Sequence, residues 1–92
     1  MVNKTLNRLL SKHPDLTHSE YCKVVSHVQR VEDDWYINTL MLDGYDVPFV
    51  YRRKNPYQTL TGARVDLTYY PQTQEVAGIS FETMKVVRLR RS

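Results

Sequence analysis

The chain has 92 residues, of which 41% are hydrophobic and 25% charged, and its formal net charge is +3. This composition is typical of one soluble globular domain with a single small core, and not of a disordered or membrane chain. No apolar stretch approaches the roughly 20 residues needed to cross a bilayer, and the only cysteine, Cys22, has no partner for an internal disulfide. We find no secretory signal at the start, so we expect a cytoplasmic protein without a membrane partner.

The first 16 residues predict a short α-helix followed by a turn. Apolar residues recur at helical spacing, at Val2, Leu6, Leu9 and Leu10. Asn3 is a candidate N-cap and Pro14 lies beyond the predicted end. We expect this helix to cover one end of the core. Residues 17–20 fit a capping-box pattern, but strand-like sequence follows them, so they are interpreted as a turn.

Residues 21–53 predict three strands that follow one another along the chain. The first two runs are rich in β-branched and aromatic residues and flank an acidic turn at 32–34. Asp43-Gly44 is the strongest hairpin signal in the chain, and residues 45–53 return from it. A two-residue turn there places Asn38 opposite Phe49. We therefore expect Phe49 and Tyr51 to face the core.

The opposite face of this predicted hairpin is too apolar for a simple solvent face. Its members are Trp35, Ile37, Met41, Pro48, Val50 and Arg52. The N-terminal helix, a second chain or a ligand would each explain this face, and a bulged turn would change its membership.

Residues 64–91 predict a final hairpin. The run that starts at Arg64 alternates, so Val65, Leu67 and Tyr69 are expected to share a core face. Residues 71–75 are interpreted as the turn. In the last strand the apolar phase changes, which predicts a bulge near residues 82–84.

This layout resembles the OB-fold over roughly residues 21–91. Three meandering strands are followed by a connection with Pro56 and Gly62, and then by a hairpin. The resemblance implies a mainly β chain that folds into a small five-stranded barrel. The second and third strands of that barrel form the binding face. The connection is short for the helix that many OB-folds carry there, so an SH3-like barrel is the alternative. The whole chain, 1–92, is interpreted as a single domain, with the helix and turn at 1–16 and the barrel at 21–91.

Signals for catalysis and for metal binding are weak. Strand alternation sends Cys22 and His27 to opposite faces, and no CxxC pair accompanies them. The chain has no nucleophile elbow, no HExxH motif and no Gly-rich phosphate loop. We therefore expect no enzyme activity, no metal site and no cofactor.

Two cationic segments indicate binding of single-stranded nucleic acid. Residues 47–65 and 83–92 contain cations and no acid, and tyrosines lie among the first set. Single strands need cations for their phosphates and flat rings for their bases. The predicted contact residues are Trp35, Arg52, Arg53, Lys54, Tyr57, Arg64, Tyr70, Arg88 and Arg90.

A protein-interaction module is the competing interpretation. The apolar face that includes Trp35 and Val50 would then pair with a protein partner or with a second copy in a homodimer. Under a third interpretation the cations are only the solvated ends of strands. The nucleic-acid interpretation gains support if residues 52–54 and 88–91 share one face, and it loses most of its support if they lie on opposite sides.

Overall fold

The structure is a computed structural model that describes residues 16–56 and 58–92. It has five strands: β1 (Thr17–Glu32), β2 (Trp35–Leu42), β3 (Phe49–Arg53), β4 (Arg64–Val76) and β5 (Ile79–Arg91). The described residues contain no helix, and the prediction of a mainly β, five-stranded chain is confirmed. The helix predicted for residues 1–16 falls, except for Leu16, outside the described residues.

The five strands form one sheet that closes on itself in the order β1-β2-β3-β5-β4. All neighbours are antiparallel except β3 and β5, which are parallel and pair only at Phe49–Met84 and Val50–Lys85. The first strand closes the ring because it pairs with β4 through its first part and with β2 through its second.

Two irregularities interrupt β1, the first within its pairing with β4 and the second within its pairing with β2. Its register shifts between Ser19 and Cys22, where Tyr21 has a φ of 57°, and again between Val24 and Ser26. Residues 17–20 belong to the strand, so their interpretation as a turn is wrong. The second shift inserts one extra residue into β1. The residues that follow it therefore occupy the opposite faces from those that simple alternation predicts. Cys22 and His27 consequently both face inward, contrary to the prediction.

The β2–β3 connection is longer than the predicted two-residue turn. The amide of Tyr45 donates to the carbonyl of Leu42 at 3.1 Å, so a turn does form at Asp43-Gly44. Pairing nevertheless starts later, and Asn38 lies opposite Tyr51 instead of Phe49. A shift of two residues preserves the face of every side chain. Phe49 and Tyr51 are therefore in the core as predicted.

The β4–β5 hairpin is also longer than predicted. Residues 71–75 continue β4, and the turn is Ala77-Gly78, with φ values of 52° and 80°. Positive φ at both positions is what a two-residue hairpin turn requires, and this explains the glycine. The bulge lies at Val87, since Thr68 pairs with Arg88 and Tyr69 with Val86, so its prediction at 82–84 is wrong.

The core is built from the inward faces of the five strands and from one residue of the β3–β4 connection. Its buried members are Val24, Leu40, Leu42, Phe49, Tyr51, Leu60, Val65, Leu67, Tyr69 and Val86. The Phe49 ring contacts the rings of Tyr45 and Tyr69 edge-on, at centroid distances of 5.2 and 4.8 Å. Leu60 is fully buried, and its amide donates to Nδ1 of His27 at 2.9 Å, which attaches the connection to β1.

Candidate nucleic-acid interface

A groove runs over the outer face of β2 and β3. The end of β1 forms one wall and the β4–β5 hairpin forms the other, and the volume is about 280 Å³. Its lining residues are Arg30, Glu32, Ile37, Thr39, Pro48, Val50, Arg52, Gln72, Gln74, Thr83 and Lys85. The groove therefore combines an apolar floor with polar and cationic walls.

The charges in the groove are mostly positive. Arg30 and Glu32 form an ion pair at 3.6 Å, which leaves Arg52 and Lys85 as its cations without a carboxylate partner among the described residues. Arg52 follows Val50 on the outward side of β3, and Ile37 lies opposite it on β2. Alternation along β3 thus aims Arg52 into the groove while Tyr51 faces the core.

A second depression lies between β3 and β5, where the two strands diverge. It has a volume of about 360 Å³ and is lined by residues 51–53 of β3 and residues 85–89 of β5. We call it the seam. Its cations are Arg52, Arg53, Lys85 and Arg88, and no acidic residue lines it. The parallel pairing of β3 with β5 therefore brings the two cationic segments of the sequence together.

The groove, the seam and a third depression share residues and so adjoin one another. Arg52 and Lys85 line both the groove and the seam. Arg53 lines the seam and also the third depression, of about 420 Å³, together with Arg91 and residues of the β3–β4 connection. Cations thus extend from the outer face of β2 and β3 to the end of β5.

Trp35 and Lys54 lie at the rim of this surface. The Lys54 ammonium nitrogen is 4.2 Å from the centroid of the Trp35 ring, a cation–π contact. Trp35 is 36% exposed. Tyr70 is half-buried and pairs with Lys85 across β4 and β5. Tyr57 lies outside the described residues.

Arg64 and Arg90 belong to a separate cluster around Asp66. Arg64 stacks at 4.7 Å from the centroid of the Tyr21 ring, and Arg90 forms an ion pair with Asp66 at 3.2 Å. Hydrogen bonds from the Ser92 hydroxyl and the Tyr21 amide, with a smaller contribution from Arg90, lower the pKa of Asp66. Both predicted contact residues are therefore engaged in contacts within the chain.

Burial raises the pKa of two other groups near this cluster. Desolvation raises the pKa of the Cys22 thiol, and the charge of Asp66 adds to it, although Arg64 opposes the change. Desolvation also raises the pKa of Tyr69, whose hydroxyl shares a 2.8 Å hydrogen bond with Ser19. A raised pKa keeps the thiol in its protonated form, which is a weaker nucleophile than the thiolate.

Several lining residues of the groove escaped the sequence interpretation. Gln72 and Gln74 were assigned to a turn, and Thr83 to a bulge, whereas all three face the groove from the long hairpin. Residues 72–75 are all polar, so no alternation of apolar and polar residues marks them as a continuation of β4. Arg30 lies beside β2 through the turn at residues 33 and 34, but the bulge in β1 between Val24 and Ser26 determines the face on which its side chain lies, and the sequence analysis does not predict that bulge.

The described residues contain no group of three or more His, Cys, Asp or Glu side chains arranged to hold a metal ion. In the same residues no helix is long and apolar enough to cross a membrane.

Comparison with known proteins finds no matching family model, no matching curated protein and no matching solved structure.

Proposed function

We propose that the chain is an OB-like barrel that binds single-stranded nucleic acid in the groove over β2 and β3. The strand order supports this fold, because a closed five-stranded sheet in which β1 pairs with both β2 and β4 suits that topology. OB-folds bind oligonucleotides on the face of strands two and three, beside the β1–β2 and β4–β5 loops. The groove occupies that position.

The observation that carries the proposal is the pair of cations at the groove, Arg52 and Lys85, neither with a carboxylate partner among the described residues. Phosphate groups supply the negative charge that such cations attract, and counterion release then favours binding. Thr39, Gln72 and Gln74 offer donors and acceptors to base edges.

Two aromatic rings are available for stacking beside the groove. Phe81 is 48% exposed and lies on the same face of β5 as Thr83, which lines the groove. Trp35 occupies the first position of β2, and Lys54 contacts its ring. Stacking of bases on such rings contributes about 1–3 kcal/mol per base and tolerates any sequence.

Titration of the protein with oligothymidylate at several salt concentrations tests the proposal. Trp35 is the only tryptophan, so its fluorescence reports binding at the rim directly. We expect quenching of this fluorescence and an affinity that falls steeply with salt. The slope of log affinity against log salt concentration should be about −0.7 for each phosphate neutralised. Arg52→Gln should weaken binding about three- to tenfold and reduce that slope by about one phosphate contact.

Lys23→Gln is the matched control, because it removes one positive charge from an exposed position on β1, opposite Arg64 and outside the groove. It should change the affinity less than about twofold if position matters more than net charge. No binding at low salt, or equal losses in the two variants, would contradict the proposal.

The tip of the β4–β5 hairpin favours a second candidate function, binding of a protein partner or of a second copy. Val76, Ile79 and Phe81 share one face there and are 58%, 59% and 48% exposed. An apolar contact of this kind should be nearly insensitive to salt and should fail in Ile79→Ser, which leaves both candidate stacking rings in place. Sedimentation that finds only monomers from low to high protein concentration would argue against self-association.

A further inference from the structure

We infer that the seam between β3 and β5 is an oxyanion site that holds backbone phosphates of the strand whose bases lie in the groove. The inference rests on the proposed function and adds a second subsite to it. Its ligand class is the phosphodiester group, and its main residues are Arg88, Arg52 and Lys85.

The first argument is the concentration of positive charge in the seam. Four cationic residues line it and no acidic residue does. The ion pairs His18–Glu20, Arg30–Glu32 and Arg90–Asp66 involve none of the three main residues of the seam. Like charges held together repel one another, and a bound anion removes that repulsion.

The second argument is the state of the Arg88 guanidinium. Its Nη1 atom is buried and has no hydrogen-bond partner among the described residues. A buried donor without an acceptor is destabilising, the more so when it carries charge. A phosphate group is an acceptor that a guanidinium group fits well, since the guanidinium N–H groups can bind two of its oxygens at once.

The third argument is the shape of the seam. Pairing between β3 and β5 ends after Val50–Lys85, and the two strands then separate around a space of about 360 Å³. Arg52 and Lys85 line this space and the groove alike. A strand that leaves the groove therefore passes next to the seam, where its phosphates meet Arg88.

Two probes separate phosphate recognition from base recognition. One is oligothymidylate, and the other is an abasic deoxyribose-phosphate oligomer of the same length. We expect Arg88→Gln to weaken binding of both probes by the same factor, about three- to tenfold at low salt, because the site reads phosphates only. Lys23→Gln should weaken each less than about twofold.

The outcomes distinguish this inference from the proposed function. If oligothymidylate binds wild type well and Arg88→Gln weakens it no more than Lys23→Gln, the seam inference is wrong and the groove proposal stands. If Arg88→Gln weakens the abasic oligomer, but wild type binds oligothymidylate no more tightly than that oligomer, the seam inference holds and base binding in the groove is wrong.

Thermal unfolding gives an independent readout on the free protein. Arg88→Gln relieves a buried, unpaired charged donor, so its Tm should equal or exceed that of wild type. Adding the abasic oligomer should raise the Tm of wild type more than that of Arg88→Gln. A Tm well below that of wild type, without any oligomer, would mean that Arg88 is a structural residue and would overturn the inference.

Discussion

The carboxylate of Asp66 on β4 accepts a hydrogen bond from the backbone amide of Tyr21 on β1, at 2.9 Å. Tyr21 is the residue with positive φ at the first bend of β1, and the ring of this residue contacts Arg64. A bulky residue rarely adopts that conformation without compensation. Asp66 thus stabilises the bend at Tyr21, which lies within the pairing of β1 with β4, between Ser19 and Cys22.

We predict that Asp66 makes the protein less stable at acid pH. Its pKa is lower in the folded state, chiefly through the Ser92 hydroxyl and the Tyr21 amide. An unfolded chain has an Asp pKa of about 3.9. The stabilisation is therefore fully present above that value and is lost as the pH falls through the lower, folded-state pKa.

Urea unfolding from roughly pH 6 down to pH 2 measures this dependence, with Asp66→Asn as the comparison. The variant should lose on the order of 1–2 kcal/mol of unfolding free energy at neutral pH, because its hydrogen bonds are no longer charge-assisted. It should also lose less stability than wild type on acidification. Parallel curves for the two proteins would rule out this role for Asp66.

We predict that Tyr21 tolerates Asn far better than Val. Both substitutions remove the ring contact with Arg64, so that loss cancels between them. At a φ of 57°, Asn adopts the left-handed conformation readily, whereas a β-branched residue is strained there. Tyr21→Val should be about 1–2 kcal/mol less stable than Tyr21→Asn in urea unfolding. Equal stabilities would show that the bend is not strained.

We predict that His27 holds the β3–β4 connection against the closed sheet. Its Nδ1 accepts from the buried Leu60 amide at 2.9 Å, so the ring proton lies on Nε2 and is donated to Oδ1 of Asn38 at 2.8 Å. His27→Ala leaves the Leu60 amide and the Asn38 oxygen each one partner short. The loss in unfolding free energy should be about 2–3 kcal/mol.

Hydrogen exchange at the Leu60 amide is the local test of the His27 prediction. The amide should lose protection in His27→Ala by more than the global loss of stability accounts for. Val28→Ala is the control, because Val28 is adjacent and largely exposed. If the Leu60 amide in His27→Ala loses no more protection than the global loss of stability accounts for, His27 does not hold the connection.

The alternation along each strand could be read from the sequence, whereas the points at which the alternation changes could not. Val65, Leu67 and Tyr69 face the core as predicted, because side chains of a strand point alternately to its two faces. The bulge at Val25 has no counterpart in the sequence prediction, and the bulge at Val87 is predicted at residues 82–84 instead. A bulge depends on how two strands fit together, which neither strand encodes alone.

The sequence by itself determined the strand content, the inward side chains of the central strands and the presence of two cationic segments. Only the tertiary structure decided that these segments meet, since the pairing of β3 with β5 places Arg52 and Arg88 in the lining of one depression although they are far apart in the sequence. It also decided that Arg64 and Arg90 are engaged around Asp66 and Tyr21. The physical reason is that local patterns govern which face of a strand a residue occupies, whereas closure of the sheet governs which strands become neighbours.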